Sequence, residues 1–228
     1  MVSDLPDGNF IVEYTDGTMD WAKSIVYALG ATYRSLPEKI TNGMPIHYCA
    51  LCDGALYKNK TVAIIGGGDV AFTQAEYLSK ICERVFIIMC DENVTAARQT
   101  FKRVSKIRNI YIQYNYPIDI IEYSDIPSHY ILRNNKIQDY YFAVDGIFVA
   151  IGMVPNTQQR IATSKIITDT LGYITANEDG KTALDGFFAA GDVRAKSMRQ
   201  SITAAADGAY AVNSVIAYLA RRNNNENT

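Results

Sequence analysis

The chain has 228 residues, and its 48% hydrophobic and 20% charged content is typical of a globular protein with one large domain or two small ones. Its 22 Lys and Arg residues against 24 Asp and Glu residues exclude a broad basic surface that would attract nucleic acid. Without a run of about 18 apolar residues or a secretory signal, the sequence predicts a cytoplasmic protein with no membrane contact.

The first 45 residues predict short strands and connections. Asn9–Tyr14 has the residues of a strand, an Asp-Gly turn signal follows it, and Ala22–Leu29 predicts a second strand. The stretch from Pro37 to Pro45 is expected to be a connection.

The central part of the chain alternates predicted strands and helices. Its first strand is short and apolar, as in a buried parallel sheet, and the next segment has helical spacing of apolar residues. With antiparallel additions, this alternation favours an α/β fold with a Rossmann-like nucleotide-binding domain of the three-layer type. The predicted elements are the strands Thr61–Ile65, Arg84–Met89, Asn109–Tyr116 and Gly146–Ala150, the helices Asp69–Lys80 and Thr95–Lys106, and a hairpin of Tyr130–Arg133 with Lys136–Val144.

The C-terminal part of the chain predicts one strand and one long helix. The strand Gly186–Gly191 ends in Gly-Asp, and Arg199–Ala220 is an Ala-rich helix. We therefore predict two domains, in which residues 1–45 and 153–228 pack together and residues 46–152 form the nucleotide-binding domain.

A glycine-rich loop follows the first central strand. GGGDVA, from Gly66 to Ala71, fits G-x-G-x-x-A between a predicted strand and a predicted helix that Asp69 begins. Gly66 permits the tight turn, and Gly68 lets backbone N–H groups approach a pyrophosphate. Ala71 lets the helix pack closely on the sheet. The alternative is a glycine-rich turn without a ligand.

The end of the second central strand bears on which nucleotide is bound. Asp91 and Glu92 lie where an acid usually accepts hydrogen bonds from a free ribose 2′-hydroxyl. A 2′-phosphate facing one such acid at about 5 Å would cost roughly 3 kcal/mol at an effective dielectric near 20. The sequence therefore favours NADH over NADPH, unless both acids point into solvent.

A dithiol motif precedes the glycine loop. Cys49-Ala50-Leu51-Cys52 is a CxxC, and four cysteines in 228 residues do not make a disulfide scaffold, so redox or metal chemistry is expected. Two thiols at this spacing form a small disulfide ring, and Asp53 could deliver a proton to a leaving thiolate. Zinc would need two more soft ligands, so no metal is expected, and a pair of buried structural cysteines stays open. Cys82 and Cys90 are expected to be inert, and His47 to be a polar neighbour and not a base.

Four separated stretches carry these motifs in one order: YCALCDG, GGGDVA, VDGIFVAIGMVPNT and LDGFFAAGDVRAKSMRQSITAAADGAYAV. Together they closely resemble the low-molecular-weight, bacterial-type thioredoxin reductases. The resemblance covers about Phe10 to Leu219. It implies a fold of the pyridine nucleotide-disulfide oxidoreductase type, in which the nucleotide-binding domain is inserted in an FAD-binding domain.

The resemblance also implies an activity. FAD is reduced by a nicotinamide cofactor and passes electrons to the CxxC disulfide, which reduces thioredoxin or a similar protein disulfide, and the protein is a homodimer. By match, Cys52 faces the flavin, Cys49 attacks the partner disulfide, and Asp53 donates a proton. The residues matched to FAD contacts are Gly191, Asp192, Arg199, Gln200 and Ser201, and those matched to the nicotinamide cofactor are Gly66, Gly68, Asp69 and Ala71.

Two departures from the family pattern matter. The family begins with another strand and a GxGxxG that grips the FAD pyrophosphate, whereas Asn9–Gly30 matches a region inside its first domain. Roughly the first quarter is therefore expected to be missing, which leaves a partial FAD-binding domain. The family's NADPH enzymes carry a His-Arg-Arg cluster and a later Arg, where this chain has Met89, Cys90, Asp91 and Thr95, which agrees with NADH.

These observations leave more than one function open. The first is an FAD-dependent thiol–disulfide oxidoreductase linked to NADH. The second is a truncated, catalytically degenerate protein that binds a nucleotide or dimerises. A reductase with a non-nicotinamide donor ranks lower, because relatives that use such donors lack the glycine loop, whereas this chain keeps it. No motif separates thioredoxin from a peroxidase as the partner.

Overall fold

The computed structural model describes residues 1–125, 128–136, 141–158 and 160–226. Two compact units are present: a split unit of Met1–Thr32 with Met153–Thr228, and a central unit of Tyr33–Gly152. That the split unit binds FAD and the central unit binds a nicotinamide cofactor stays a prediction.

Short strands and a few helices build both units. The strands are β1 (Val2–Asp4), β2 (Phe10–Glu13), β3 (Met19–Ala22), β4 (Ile25–Tyr27), β5 (Ala31–Tyr33), β6 (Thr61–Ile65), β7 (Arg84–Ile88), β8 (Ile110–Gln113), β9 (Ile120–Asp125), β10 (Ser128–Arg133), β11 (Tyr141–Val144), β12 (Gly146–Val149), β13 (Met153–Pro155) and β14 (Phe187–Ala189). The helices are α1 (Glu38–Thr41), α2 (Ala50–Asp53), α3 (Asp69–Leu78), α4 (Arg98–Val104) and α5 (Ser201–Glu226), and 3₁₀ turns span Gly54–Tyr57 and Gly191–Val193.

Parallel strands in the order β12-β6-β7-β8 form the main sheet of the central unit. Helix α3 connects β6 to β7 and helix α4 connects β7 to β8, as parallel neighbours require. Both faces of the sheet are buried: Val62 and Ile64 share a core with Phe72 of α3, whereas Ala63 and Ile65 belong to a core on the opposite face. The predicted α/β fold of Rossmann-like type is confirmed.

An antiparallel sheet in the order β11-β10-β9 contributes to that second core. Arg133 of β10 lies opposite Tyr141 of β11, which confirms the predicted hairpin where it is described. Residues 137–140 of its second predicted strand lie outside the described residues. Ile121 and Leu132 are fully buried against the parallel sheet, so the central unit has helices, a parallel sheet and an antiparallel sheet as its layers.

Smaller sheets build the split unit. Strands β1, β2 and β3 form an antiparallel sheet, and β14 pairs in parallel with β4. Phe10, Tyr27 and Phe187 are buried in one cluster, and helix α5 packs on β14 through Ala211 against Phe188. Among the described residues, no helix combines the length and the hydropathy needed to cross a bilayer.

The predicted single strand Ala22–Leu29 is wrong. Ala22 ends β3 opposite Phe10, whereas β4 begins at Ile25, whose N–H donates to the carbonyl of Gly186 at 2.8 Å. The chain leaves one sheet and joins another between these strands. A continuous run of strand-forming residues does not show such a change of partner.

Other predicted elements exist with different bounds. Helix α4 begins at Arg98 and not at Thr95, because the N–H groups of Thr95 and Ala96 donate to the Gly67 carbonyl at 3.0 and 3.1 Å. Helix α1 forms a single turn inside the predicted connection, and α5 continues beyond its predicted end. Strand β1 was not predicted.

Candidate active site

A disulfide joins Cys49 and Cys52 at the start of helix α2, with their Cα atoms 5.3 Å apart. Cys49 precedes the helix in extended conformation, and its sulfur accepts the N–H of Cys52 at 3.2 Å. Cys49 is half-buried and Cys52 is exposed. Among the residues that the structure describes, no group of three His, Cys, Asp or Glu is placed to hold a metal ion. The CxxC therefore forms the small ring that redox chemistry requires.

The parallel sheet holds the segment that leads into this disulfide. His47 bridges to Phe148 of β12: its N–H donates to the Ile147 carbonyl at 2.9 Å, and its carbonyl accepts from Val149 at 2.8 Å. The side-chain amide of Gln74 on α3 donates to the carbonyl of Tyr48 at 3.0 Å. The backbone before the disulfide is thus fixed to two elements of the central unit.

Asp53, the last residue of α2, belongs to a side-chain network. Its Oδ2 lies 2.9 Å from Nδ1 of His47, and Nε2 of the same ring lies 2.7 Å from the hydroxyl of Tyr57. Burial, and then smaller contributions from Tyr130, Asp53 and Asp145, raise the pKa of Tyr57. Asp53 was predicted as a site residue and His47 as a polar neighbour, whereas Tyr57 was not predicted. The only sequence signal for this network is His47, one of two histidines in the chain, which lies two residues before the CxxC.

The glycine loop meets neighbouring backbone so closely that its first residue must be glycine. A β-carbon at Gly66, whose φ is 145°, would lie 2.4 Å from the Ala150 carbonyl oxygen, whereas one at Gly67 would meet only Cε of the flexible Met89 side chain at 2.7 Å. Gly68 precedes α3 in extended conformation without a side-chain cap, and Ala71 is fully buried. The first N–H groups of α3 therefore stay available to an anion.

The segment that follows the acidic end of β7 is hydrogen-bonded to the glycine loop and to the start of α3. Thr95 donates its N–H to the Gly67 carbonyl at 3.0 Å, and Asp69 Oδ1 accepts the N–H of Ala97 at 3.0 Å. Asp91 is exposed, and its Oδ1 accepts the N–H of Asn93 at 2.8 Å. That Asp91 contacts a ribose stays a prediction.

The two other cysteines take no part in these arrangements. Burial, with a smaller contribution from Asp145, raises the pKa of Cys82 to about 11. Desolvation and the adjacent Asp91 raise the pKa of Cys90, although Cys90 is exposed. A raised pKa lowers the thiolate fraction, so both thiols are poor nucleophiles.

In the split unit, β14 ends at a Gly-Asp turn with an unsatisfied acid. Gly191 has a φ of 76°, and its N–H donates to Asp207 Oδ2 at 3.0 Å. Oδ1 of Asp192 is buried with no hydrogen-bond partner, and Nζ of Lys196 is 3.9 Å away. A buried acceptor without a donor is costly, which indicates a site for a ligand hydroxyl.

The predicted residues Arg199, Gln200 and Ser201 follow this turn. The guanidinium of Arg199 lies 3.9 Å from the ring centre of Tyr173, and its Nε donates to the Asp192 carbonyl at 3.4 Å. Gln200 accepts the N–H of Ala204 and Ser201 begins α5. The structure thus brings the predicted split-unit residues together, and the glycine loop, Asp91 and the disulfide belong to the central unit.

Asp207 is a further residue of this region that sequence reasoning missed. Its Oδ1 lies 2.7 Å from a nitrogen of Arg194, and its Oδ2 lies 2.9 Å from Nζ of Lys196. Arg194 also donates to the carbonyl of Asn177 at 2.6 Å. This buried ion cluster ties helix α5 to the Gly-Asp turn. No motif marks it, because the charges come together only when the helix packs.

Comparisons with known proteins agree with this geometry. The family profile of pyridine nucleotide-disulphide oxidoreductases matches residues 4–208. Thioredoxin reductase of Treponema pallidum is 36% identical over 92% of this chain and 69% of its own length. That of Listeria innocua is 33% identical over 92% of this chain and 67% of its own length. The chain belongs to the thioredoxin reductase family.

A solved structure gives the same result. The crystal structure of thioredoxin reductase from Streptococcus pyogenes has a TM-score of 0.82 and 30% identity, and the match covers 96% of this chain and 72% of that one. This thioredoxin reductase homologue therefore spans about two thirds of the length of the curated relatives named above. Like its family, it is a flavin-dependent oxidoreductase with a CxxC disulfide.

Family membership implies FAD and a nicotinamide cofactor, and the residues present fit both. The unsatisfied Oδ1 of Asp192 suits a hydroxyl of the FAD ribityl chain. The close approach at Gly66 and the uncapped start of α3 suit a dinucleotide pyrophosphate. The split unit therefore has residues that fit FAD, and the central unit has residues that fit a nicotinamide cofactor.

Proposed function

We propose that this thioredoxin reductase homologue transfers electrons from NADH, through FAD, to the Cys49–Cys52 disulfide and on to thioredoxin or a similar protein disulfide. One observation carries the proposal: the disulfide is formed, and Asp53 follows it on a unit that also holds an intact glycine loop. A catalytically degenerate protein would not be expected to retain the disulfide, Asp53 and the glycine loop together.

The proposal gives roles to this chain's own residues. Gly191, Asp192 and the segment Arg199–Ser201 would hold FAD in the split unit, with Asp192 accepting from the ribityl chain. Gly66, Gly68, Asp69 and Ala71 would form the nicotinamide cofactor loop, with Asp91 on the ribose. When bound, FAD supplies the two-electron chemistry that links nicotinamide oxidation to opening of the disulfide.

The exchange with thioredoxin follows ordinary thiol–disulfide chemistry. In the reduced chain, the Cys49 thiolate bonds to one sulfur of the partner disulfide, and the other partner sulfur leaves as a thiolate. Cys52 then loses its proton and attacks Cys49, so that Cys49–Cys52 re-forms and the partner sulfur that was bonded to Cys49 leaves as a thiolate. Asp53 supplies a proton to a leaving thiolate. By family match, Cys52 is the sulfur that faces the flavin.

We further propose a cytoplasmic homodimer that contacts neither nucleic acid nor membrane. A free, exposed Cys90 in a chain with an exchangeable disulfide suits a reducing compartment. Large exposed apolar side chains on α5 support association, since single folded chains rarely leave such a face open. They are Ile202, Tyr210, Val212 and Ile216.

Thiol counting tests the central claim. The oxidised chain has the free thiols Cys82 and Cys90, so denatured protein is expected to give two thiols before turnover and four after anaerobic incubation with NADH and FAD. The variant Cys52→Ser lacks the ring and serves as the control, since its count does not change with cofactors. If the wild-type count stays at two with both cofactors present, the proposed function fails.

A further inference from the structure

His47 stands between an acid and a phenol. Nδ1 lies 2.9 Å from Asp53 Oδ2, and Nε2 lies 2.7 Å from the Tyr57 hydroxyl. The ring packs against Phe148, with the two ring centres 5.2 Å apart. The His47 side chain is 21% exposed and that of Asp53 is 38% exposed. The imidazole is therefore held in one orientation, while the acid keeps contact with the surface near the disulfide.

Both protonation states of the ring are hydrogen-bonded in this position. Protonated His47 donates from Nδ1 to Asp53 and from Nε2 to the oxygen of Tyr57. Neutral His47 that has given its Nδ1 proton to Asp53 accepts the Asp53 carboxyl proton at Nδ1 and still donates from Nε2 to Tyr57. The ring can gain or lose this proton without turning, because the Tyr57 oxygen accepts from Nε2 in both states.

Titratable and charged groups from several elements surround the ring and its phenol partner. Asp53 faces Nδ1 from helix α2, and Tyr57 faces Nε2 from the 3₁₀ turn. Asp145 and Tyr130 lie behind Tyr57, and their electrostatic effect on that phenol is to raise its pKa. Nζ of the exposed Lys60 lies 6.0 Å from the Tyr57 ring centre.

We propose that His47 is the positioning residue and proton source behind Asp53, replacing the proton that Asp53 gives to the cysteine thiolate released when Cys49–Cys52 opens. The inference deepens the proposed function and rests on it. When an external thiolate bonds to one sulfur, the S–S bond breaks and its electron pair leaves on the other cysteine. That thiolate gains a proton from Asp53, the carboxylate takes the Nδ1 proton of the imidazolium, and neutral His47 keeps its remaining proton on Nε2, which faces Tyr57.

Reduction of the isolated chain by dithiothreitol tests this step without flavin or nicotinamide. Rates are measured from pH 6 to pH 9 for the wild type and His47→Gln, because their ratio at each pH cancels the ionisation of the reagent. The wild type is expected to be about threefold to tenfold faster at pH 6, less than general acids usually give because a thiolate leaves easily. The ratio is expected to fall toward one by pH 9, above the ordinary range of imidazole titration.

Two further variants separate a proton relay from a structural role. Asp53→Asn is expected to lose the same advantage, and the double variant is expected to be no slower than Asp53→Asn alone. Tyr48→Phe, which removes a neighbouring hydroxyl, is the matched control and is expected to match the wild type. If His47→Gln does not fold, the ratio of wild type to Asp53→Asn is read in the same way.

The inference is overturned if the ratio is one at pH 6, if it is the same at every pH, or if the two losses add in the double variant. None of these outcomes touches thiol counting with NADH and FAD. A failed relay with four thiols after turnover leaves the proposed function standing. A pH-dependent relay with two thiols after turnover would show a reactive disulfide that the cofactors do not reduce.

Discussion

Gly66 lies so close to the backbone of Ala150 that a β-carbon at its position would be 2.4 Å from the Ala150 carbonyl oxygen. The two residues follow β6 and β12, which are neighbouring parallel strands. Gly66 also has a φ of 145°, a conformation that side chains rarely adopt. Packing of the strand ends therefore demands this glycine before any ligand is considered.

Gly66→Ala is expected to lower the free energy of unfolding by about 2 kcal/mol or more, because backbone strain and a contact with a carbonyl oxygen add together. Urea unfolding measures it. Gly208→Ala is the control: it lies inside α5 with nothing within 4 Å of the added carbon, and it is expected to be neutral or slightly stabilising. Equal effects of the two substitutions would contradict the role of close packing at Gly66.

Asp207→Asn is expected to lower the free energy of unfolding by about 3 kcal/mol, because it leaves buried cations without their acid. Asp207 lies 2.7 Å from Arg194 and 2.9 Å from Lys196, and its side chain is 14% exposed. Thermal or urea unfolding measures the loss. Asp185→Asn, whose side chain is 89% exposed and 3.6 Å from Arg221, is the control and should change stability by less than about 0.5 kcal/mol. A similar small effect at Asp207 would refute the prediction.

Asp192→Asn is expected to separate stability from flavin binding. The wild-type Oδ1 is buried without a hydrogen-bond partner, so loss of its charge should leave the unfolding midpoint unchanged or raised. The same change should lower the flavin absorbance that the protein retains after incubation with FAD and desalting. Retention equal to that of the wild type would mean that Asp192 does not contact the cofactor.

Local patterns in the sequence predicted much of the central unit. Gly66 and Ala71 mark a strand–loop–helix junction that can be predicted, because the whole motif is contiguous in the chain. The buried strands on either side of α3 were equally plain. By contrast, β4 could not be told from β3, since its partner β14 is more than a hundred residues away. Sequence separation, and not composition, hides such pairings.

The candidate sites show the same division. The CxxC, the glycine loop and the Gly-Asp turn were predicted because each is a contiguous motif. The contact of His47 with Asp53 and Tyr57 depends on side-chain direction after a short helix and a 3₁₀ turn. The ion cluster of Asp207 depends on how α5 packs on β14. Such contacts arise from tertiary structure and leave no fixed spacing in the chain.

Stability is expected to fall as the pH rises above about 9, in part because of Cys82. Burial raises the pKa of this thiol to about 11 from an ordinary 9.0. Unfolded chains then ionise first, so the native state loses up to about 2 to 3 kcal/mol between these values. Urea unfolding from pH 8 to pH 11 should show a shallower decline for Cys82→Ala than for the wild type. Parallel declines would mean that Cys82 does not contribute.

Asp91→Asn is expected to narrow the preference for NADH over NADPH. The carboxylate is exposed, so solvent screening should reduce its repulsion of a 2′-phosphate to about 1 to 2 kcal/mol, or roughly fivefold to thirtyfold in affinity. Calorimetric dissociation constants of both dinucleotides, at one salt concentration, give the ratio. Glu83→Gln, an exposed acid at the opposite end of β7 beside Arg84, is the matched control and should leave the ratio unchanged. Because only an acid at the ribose can distinguish the two dinucleotides this way, an unchanged ratio in Asp91→Asn, or a wild-type preference for NADPH, would remove Asp91 from the site.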